Sequence, residues 1–168
     1  MATLTDEVVR WSNETRAILV SIKRIVEYFG SDDESESLLV SLRLSEAFFE
    51  GVIPALGDPA WRANVAGIQI HQFACGRPIA AMVSPLLQVI VEPVPELVPM
   101  ARKELEAAHY SALMRHVGAF TGSIGRDICE TIWRDFPDLA PEGWPVSRAV
   151  PQEGSKGSDD PGNKVGDA

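Results

Sequence analysis

Between residues 5 and 29, Val8, Trp11, Thr15, Ile18, Ile22, Ile25 and Phe29 recur at alternating steps of three and four. That spacing lines one face of a helix. Val9, Leu19 and Val26 widen the face beyond a coiled-coil seam, so this helix is expected to pack against more than one neighbour. Thr5 is placed to cap its start, and Gly30 stands where a helix ends. The polar run GSDDESES (30–37) supplies caps and early acids for a second helix, from about Glu34 to Ile53. Its inward residues are Leu38, Leu39, Leu42, Phe48, Phe49 and Val52. VSLRLS (40–45) alternates as a strand would, but its flanks favour the helix, which Pro54 and Gly57 close.

GDPAW (57–61) has the form of a helix start, with Asp58 as cap and Pro59 in the first helical position. A third helix is expected from there to about Cys75, ending at Gly76. The next stretch carries Pro78, Pro85, Pro93, Pro95 and Pro99. Pro78 and Pro85 fit the start or a kink of one short, broken, buried helix, and Val89-Ile90-Val91 leaves a strand open there. EPVPELVP (92–99) reads as a rigid extended connector. A fifth helix, about 97–120, would bury Leu97, Ala101, Leu105, Ala108, Ala112, Leu113, Val117 and Phe120. TGSIG (121–125) reads as a turn with Ser123 available as a cap, before a short sixth helix carrying Ile124, Ile128, Ile132 and Phe136.

The pattern therefore predicts an all-α fold: a helical bundle or orthogonal array of four to six helices over residues 1–136, with the first, second, third and fifth forming the core. Residues 137–168 are rich in Pro and Gly. The end, EGSKGSDDPGNKVGDA, is too poor in apolar side chains to order itself. A disordered acidic tail is expected there, with APEGWPV (140–146) docked onto the core through Trp144.

Charge changes the functional picture more than composition does. Lys and Arg number 15 against 24 Asp and Glu, a net charge of −9. Such a field repels phosphate backbones and anionic lipid, and the short basic stretches at Arg102-Lys103 and Lys23-Arg24 are flanked by acids. Neither a nucleic-acid nor a membrane role is expected. MATLTDEVVRW has neither a cationic nor an apolar leader, and IAAMVSPLLQVIV (79–91) is shorter than the roughly 20 residues of a spanning helix. It reads as a buried core segment. With two cysteines, a cytoplasmic location with reduced thiols is expected, Cys75 and Cys129 acting as small buried hydrophobes.

Candidate chemistry is sparse. Glu106-x-x-His109, in LEAAHYSALMRH (105–116), has the spacing with which one helix offers two ligands to an ion in di-iron carboxylate bundles. A second Glu-x-x-His does not occur in the chain. His71-x-x-x-Cys75 puts an imidazole and a thiol one helical turn apart, a pairing suited to zinc if further ligands join it. A satisfied core pair for His71 and Cys75, and a packed helix edge for Glu106 and His109, are the simpler explanations. TGSIGRD (121–127) lacks the ending of a phosphate loop, though its turn could present amides to an anion beside Arg126.

The reading this supports best is a non-catalytic helical interaction or regulatory module that acts through apolar helix faces, with a protein partner or self-association and no cofactor. Trp61, Trp133 and Trp144 are its expected anchors. The first alternative is a small-molecule pocket under residues 78–99, lined by Phe73, Met82, Leu86 and Met100 with Arg77 at its mouth. The second is a metal or redox site using Glu106, His109, His71 and Cys75.

Overall fold

A computed structural model describes residues 3–30, 32–65 and 75–144, and every regular element in them is helical. Helix α1 spans Leu4–Phe29. Its cap is Thr3, not Thr5. Thr3 Oγ1 accepts from the Asp6 amide at 3.2 Å, and the Asp6 carboxylate accepts from the Thr3 amide at 3.0 Å, a reciprocal capping box. The buried stripe runs through Leu4, Val8, Trp11, Ser12, Thr15, Leu19, Ile22 and Val26. Ile18 and Ile25 are half-buried at its margin, while Val9 and Phe29 face solvent.

Helix α2 spans Asp32–Phe49 and buries Leu38, Leu42 and Phe49. After a turn, Pro54 opens the one-turn helix α3 (Pro54–Gly57) in the position where its missing N–H costs nothing. GDPAW does not start a long helix. Asp58 caps a tight turn instead, its Oδ1 accepting from the Ala60 amide at 2.9 Å, and residues 61–65 are irregular. The Trp61 ring is held against His116, a tertiary contact that overrides the local start signal. The remainder of the expected third helix, 66–74, lies outside the described residues.

Helix α4 spans Arg77–Val91 and α5 spans Val94–Glu104. The run 89–91 is thus helix rather than strand, and the connector expected over 92–99 shrinks to a turn at Glu92 and Pro93. The prolines permit this by their placement. Pro78 and Pro95 occupy first turns, and Pro85 and Pro99, inside their helices, are exposed. The helix expected over 97–120 is broken where Leu105 and Glu106 are extended (ψ 145° and 154°).

Helix α6 (Ala107–Gly122) runs without a break into a π-helical segment, Ser123–Cys129, and then α7 (Glu130–Asp135). TGSIG is therefore not a turn. The Ser123 amide bonds back to the Ala119 and Phe120 carbonyls, so no amides are left there to cradle an anion. A short 3₁₀ turn, Pro137–Leu139, follows, and the described chain continues to Trp144. The Trp144 ring stands 4.5 Å from that of Trp133, as the expected docking requires. The tail from 145 onward lies outside the described residues.

Trp11, Phe49 and Phe120 meet edge-on or tilted at the centre, with ring centroids 5.0 to 5.9 Å apart. Helix α1 packs along α4, and α2 along α6 and the π segment. Helix α4 thus contributes to the core beside α1, α2 and α6.

Candidate functional site

Helix α4 has two apolar faces, and among the described residues only one of them is packed into the core. The inner face, Ile79, Ala80, Val83, Ser84, Leu87 and Ile90, is buried. Burial of each large aliphatic there contributes about 1.5–3 kcal/mol. Two tryptophan N–H groups fix the helix in place. Trp11 Nε1 donates to the Ile90 carbonyl at 2.9 Å, satisfying an acceptor in the last turn that has no helical donor. Trp133 Nε1 donates to Ser84 Oγ at 2.8 Å, and Ser84 in turn donates to the Leu139 carbonyl at 3.3 Å.

The outer face consists of Pro78, Ala81, Pro85 and Val89, all exposed, with Met82 and Leu86 half-buried beside them. Val89 is 49% exposed. No Asp, Glu, Lys or Arg occurs from Pro78 to Val91, whereas a surface helix ordinarily turns charged residues to water. The expectation that 79–91 is a buried segment thus holds for one side only. Pro85 has no N–H to give the Ala81 carbonyl, so an unfilled acceptor also belongs to this exposed side. Charges stand at the two ends. Arg77 donates to both carboxylate oxygens of Asp138, one contact being 2.9 Å, and lies over the Phe136 ring. That ion pair raises the guanidinium's pKa and lowers the carboxyl's. Glu92 is exposed at the other end. By length and composition alone, Arg77–Glu104 would also suffice to cross a membrane; in the fold 33% of its most apolar 18-residue stretch is buried.

A second locus joins α2, α6 and the irregular loop. His116 is buried, its ring edge-on to Trp61 at 5.0 Å and its Nε2 3.3 Å from the Trp61 carbonyl oxygen. Burial pushes the imidazole's pKa below its ordinary value, and Arg115 and Arg62 push in the same direction. Gly51 closes the contact: a Cβ there would overlap both the Trp61 ring and the His116 imidazole. Nearby, the buried Ser45 and Ser123 hydroxyls pair at 2.7 Å, and each also lies within donating distance of a carbonyl, Ser123 Oγ of Phe120 at 2.8 Å and Ser45 Oγ of Ser41 at 3.3 Å. A groove of about 350 Å³ lies over these residues, lined by Leu44, Phe48, Ala119, Ser123, Arg126 and Asp127 among others. Arg126 Nε donates to Asp127 Oδ1 at 3.0 Å, while Asp127 Oδ2 is buried without a partner.

The residues singled out in the sequence scatter. Trp133 is buried and serves the core, so it is no surface anchor; Trp61 is half-buried and Trp144 is 38% exposed. Glu106 is the exposed N-cap residue of α6 and His109 lies in that helix's first turn, so the two do not ride one continuous helix. Cys75 is half-buried at the edge of the core. Burial pushes the Cys129 thiol up to about 12, which makes it a poor nucleophile and ligand. Among the described residues no three His, Cys, Asp or Glu side chains gather as a metal site. His71 and Phe73 lie outside the described residues. Met82 is half-buried beside the outer face of α4, Leu86 packs at the margin of the core, Arg77 is paired to Asp138, and Met100 lines a different cleft of about 200 Å³ with Trp11, Pro93 and Leu97.

Comparison with protein-family models, curated proteins and solved structures finds no match for this chain.

Proposed function

We propose that the chain is a non-catalytic helical interaction module whose docking surface is the outer face of α4. The observation that carries this reading is the uncharged stretch from Pro78 to Val91, whose inner half builds the core while Pro78, Ala81, Pro85 and Val89 remain exposed. Exposed, contiguous apolar surface is costly in water, and its retention marks a contact with another molecule. Among the described residues nothing in the packing requires these side chains, because α4 is already held by its inner face and by Trp11 and Trp133.

The test is a photo-reactive amino acid placed at position 89 in the full chain in its native cells, with the same probe at Ala17, an exposed position on α1, as control. Protein adducts at 89 and not at 17 are expected. Absence of adducts at 89 contradicts the reading.

A further inference from the structure

We propose that the molecule docked on α4 is a second copy of this chain, the two α4 helices pairing antiparallel about a two-fold axis at Pro85. The inference rests on the reading above and names its partner.

The outer residues fall at Pro78, Ala81, Pro85, Val89 and Glu92, steps of three, four, four and three. This sequence of steps is symmetric about Pro85. Reversing one helix against another therefore places Pro85 on Pro85, Ala81 on Val89 and Pro78 on Glu92. A two-fold pair uses the same patch on both copies, so a self-complementary strip is what the symmetry demands. Antiparallel pairing also brings the Arg77 guanidinium at the start of each α4 toward Glu92 at the end of the other. Arg77 is 56% exposed and uses two of its five N–H donors on Asp138, which leaves others for Glu92 of the second copy.

Net charge selects the same surface. Two chains of −9 repel each other, and α4 offers a strip free of charge along which they can approach. The strip is about 22 Å long at about 1.5 Å per residue. A helix of that length covers roughly 400 Å² of accessible surface on each copy, below the roughly 1,200 Å² in total of a stable interface. The dimer is accordingly reversible and weak, with a Kd on the order of 100 μM.

Single cysteines read out the register. In a Cys75→Ser background, Pro85→Cys places two thiols at the axis, while two copies of Pro78→Cys stand about 21 Å apart along the pair and cannot form a disulfide. Under mild oxidation at about 200 μM protein, a concentration set by the expected weak affinity, Pro85→Cys is expected to cross-link at least tenfold faster than Pro78→Cys. Mixing Pro78→Cys with Glu92→Cys chains restores the product. Sedimentation of the unmodified chain should show a rising dimer fraction with concentration, lost in Ala81→Glu. Equal rates for Pro78→Cys and Pro85→Cys overturn the antiparallel pairing. A chain that stays monomeric throughout overturns the second copy as the partner. In that event adducts of the position-89 probe to a different protein preserve the interaction reading, whereas binding to neutral phosphatidylcholine vesicles with no protein adduct removes both.

Discussion

Helices α1 and α4 lie against each other and bury comparable stripes, yet their outward sides differ in kind. Outside its buried stripe α1 carries Arg10, Asn13, Glu14, Arg16, Arg24 and Glu27, interrupted by Val9 and Val20. Its exposed apolar residues are set among those charges, as Val9 and Val20 are, or stand at the helix's last turn, as Tyr28 and Phe29 do. The outward side of α4 carries no charge between its ends. Hydrophobicity inside a fold is explained by the fold; hydrophobicity left outside it needs a second explanation. The two helices show that this distinction is made residue by residue on one element, since Leu87 is wholly buried and Val89, two positions on, is 49% exposed.

The comparison is broken most directly by substituting those two neighbours. Leu87→Ala should cost about 2–5 kcal/mol of folding stability, measured by urea or thermal unfolding. Val89→Glu should change it by less than about 0.5 kcal/mol, as surface changes do. A large loss in Val89→Glu would show that the outer face belongs to the chain's own core.

Gly51→Ala comes next. The added methyl must displace the Trp61 ring or His116, and overpacking of this sort costs about 1–3 kcal/mol. A variant as stable as the parent would show that the 51–61 loop does not depend on this contact. Trp133→Phe keeps the aromatic bulk but removes the N–H that Ser84 accepts, a loss of about 1 kcal/mol. The same substitution should leave α4's outer face unaffected, which separates the inner role of this tryptophan from any role in docking.

The smallest effect is a pH dependence at His116. Its pKa is lower folded than unfolded, so the unfolded chain binds the proton more readily. The stability that the neutral imidazole contributes is therefore complete above about pH 6.5, the unfolded value, and declines as pH falls below it toward the folded value. In His116→Gln this part of the unfolding profile should flatten. An unchanged slope would assign the dependence to other groups.

How much of this was legible in the sequence depended on whether one face or two were apolar. The 3.6 period of α1 showed in Val8, Trp11, Thr15 and Ile22 because polar residues filled the gaps between them. In α4 the gaps are also apolar, so periodicity could not say which half faces inward, and the segment read as wholly buried. The prolines misled in the same region. Pro93, Pro95 and Pro99 are poor helix formers on a propensity scale, but Pro95 sits in a first turn and Pro99 is exposed, and α5 forms around them. GDPAW and TGSIG carried correct local chemistry that distant contacts overruled: Trp61 is held by His116, and Ser123 by Ser45, partners 55 and 78 positions away. Glu106 and His109 were visible as a motif, but the break at Leu105 that separates their roles was not, because its cause is not in the local pattern.

The most direct test of the outer face of α4 as a contact surface measures folding and association on one variant. Val89→Glu is compared with the parent by thermal unfolding and by sedimentation at matched concentration. An unchanged melting temperature together with lost association is the predicted result. Association that survives the charge with the fold intact would contradict it.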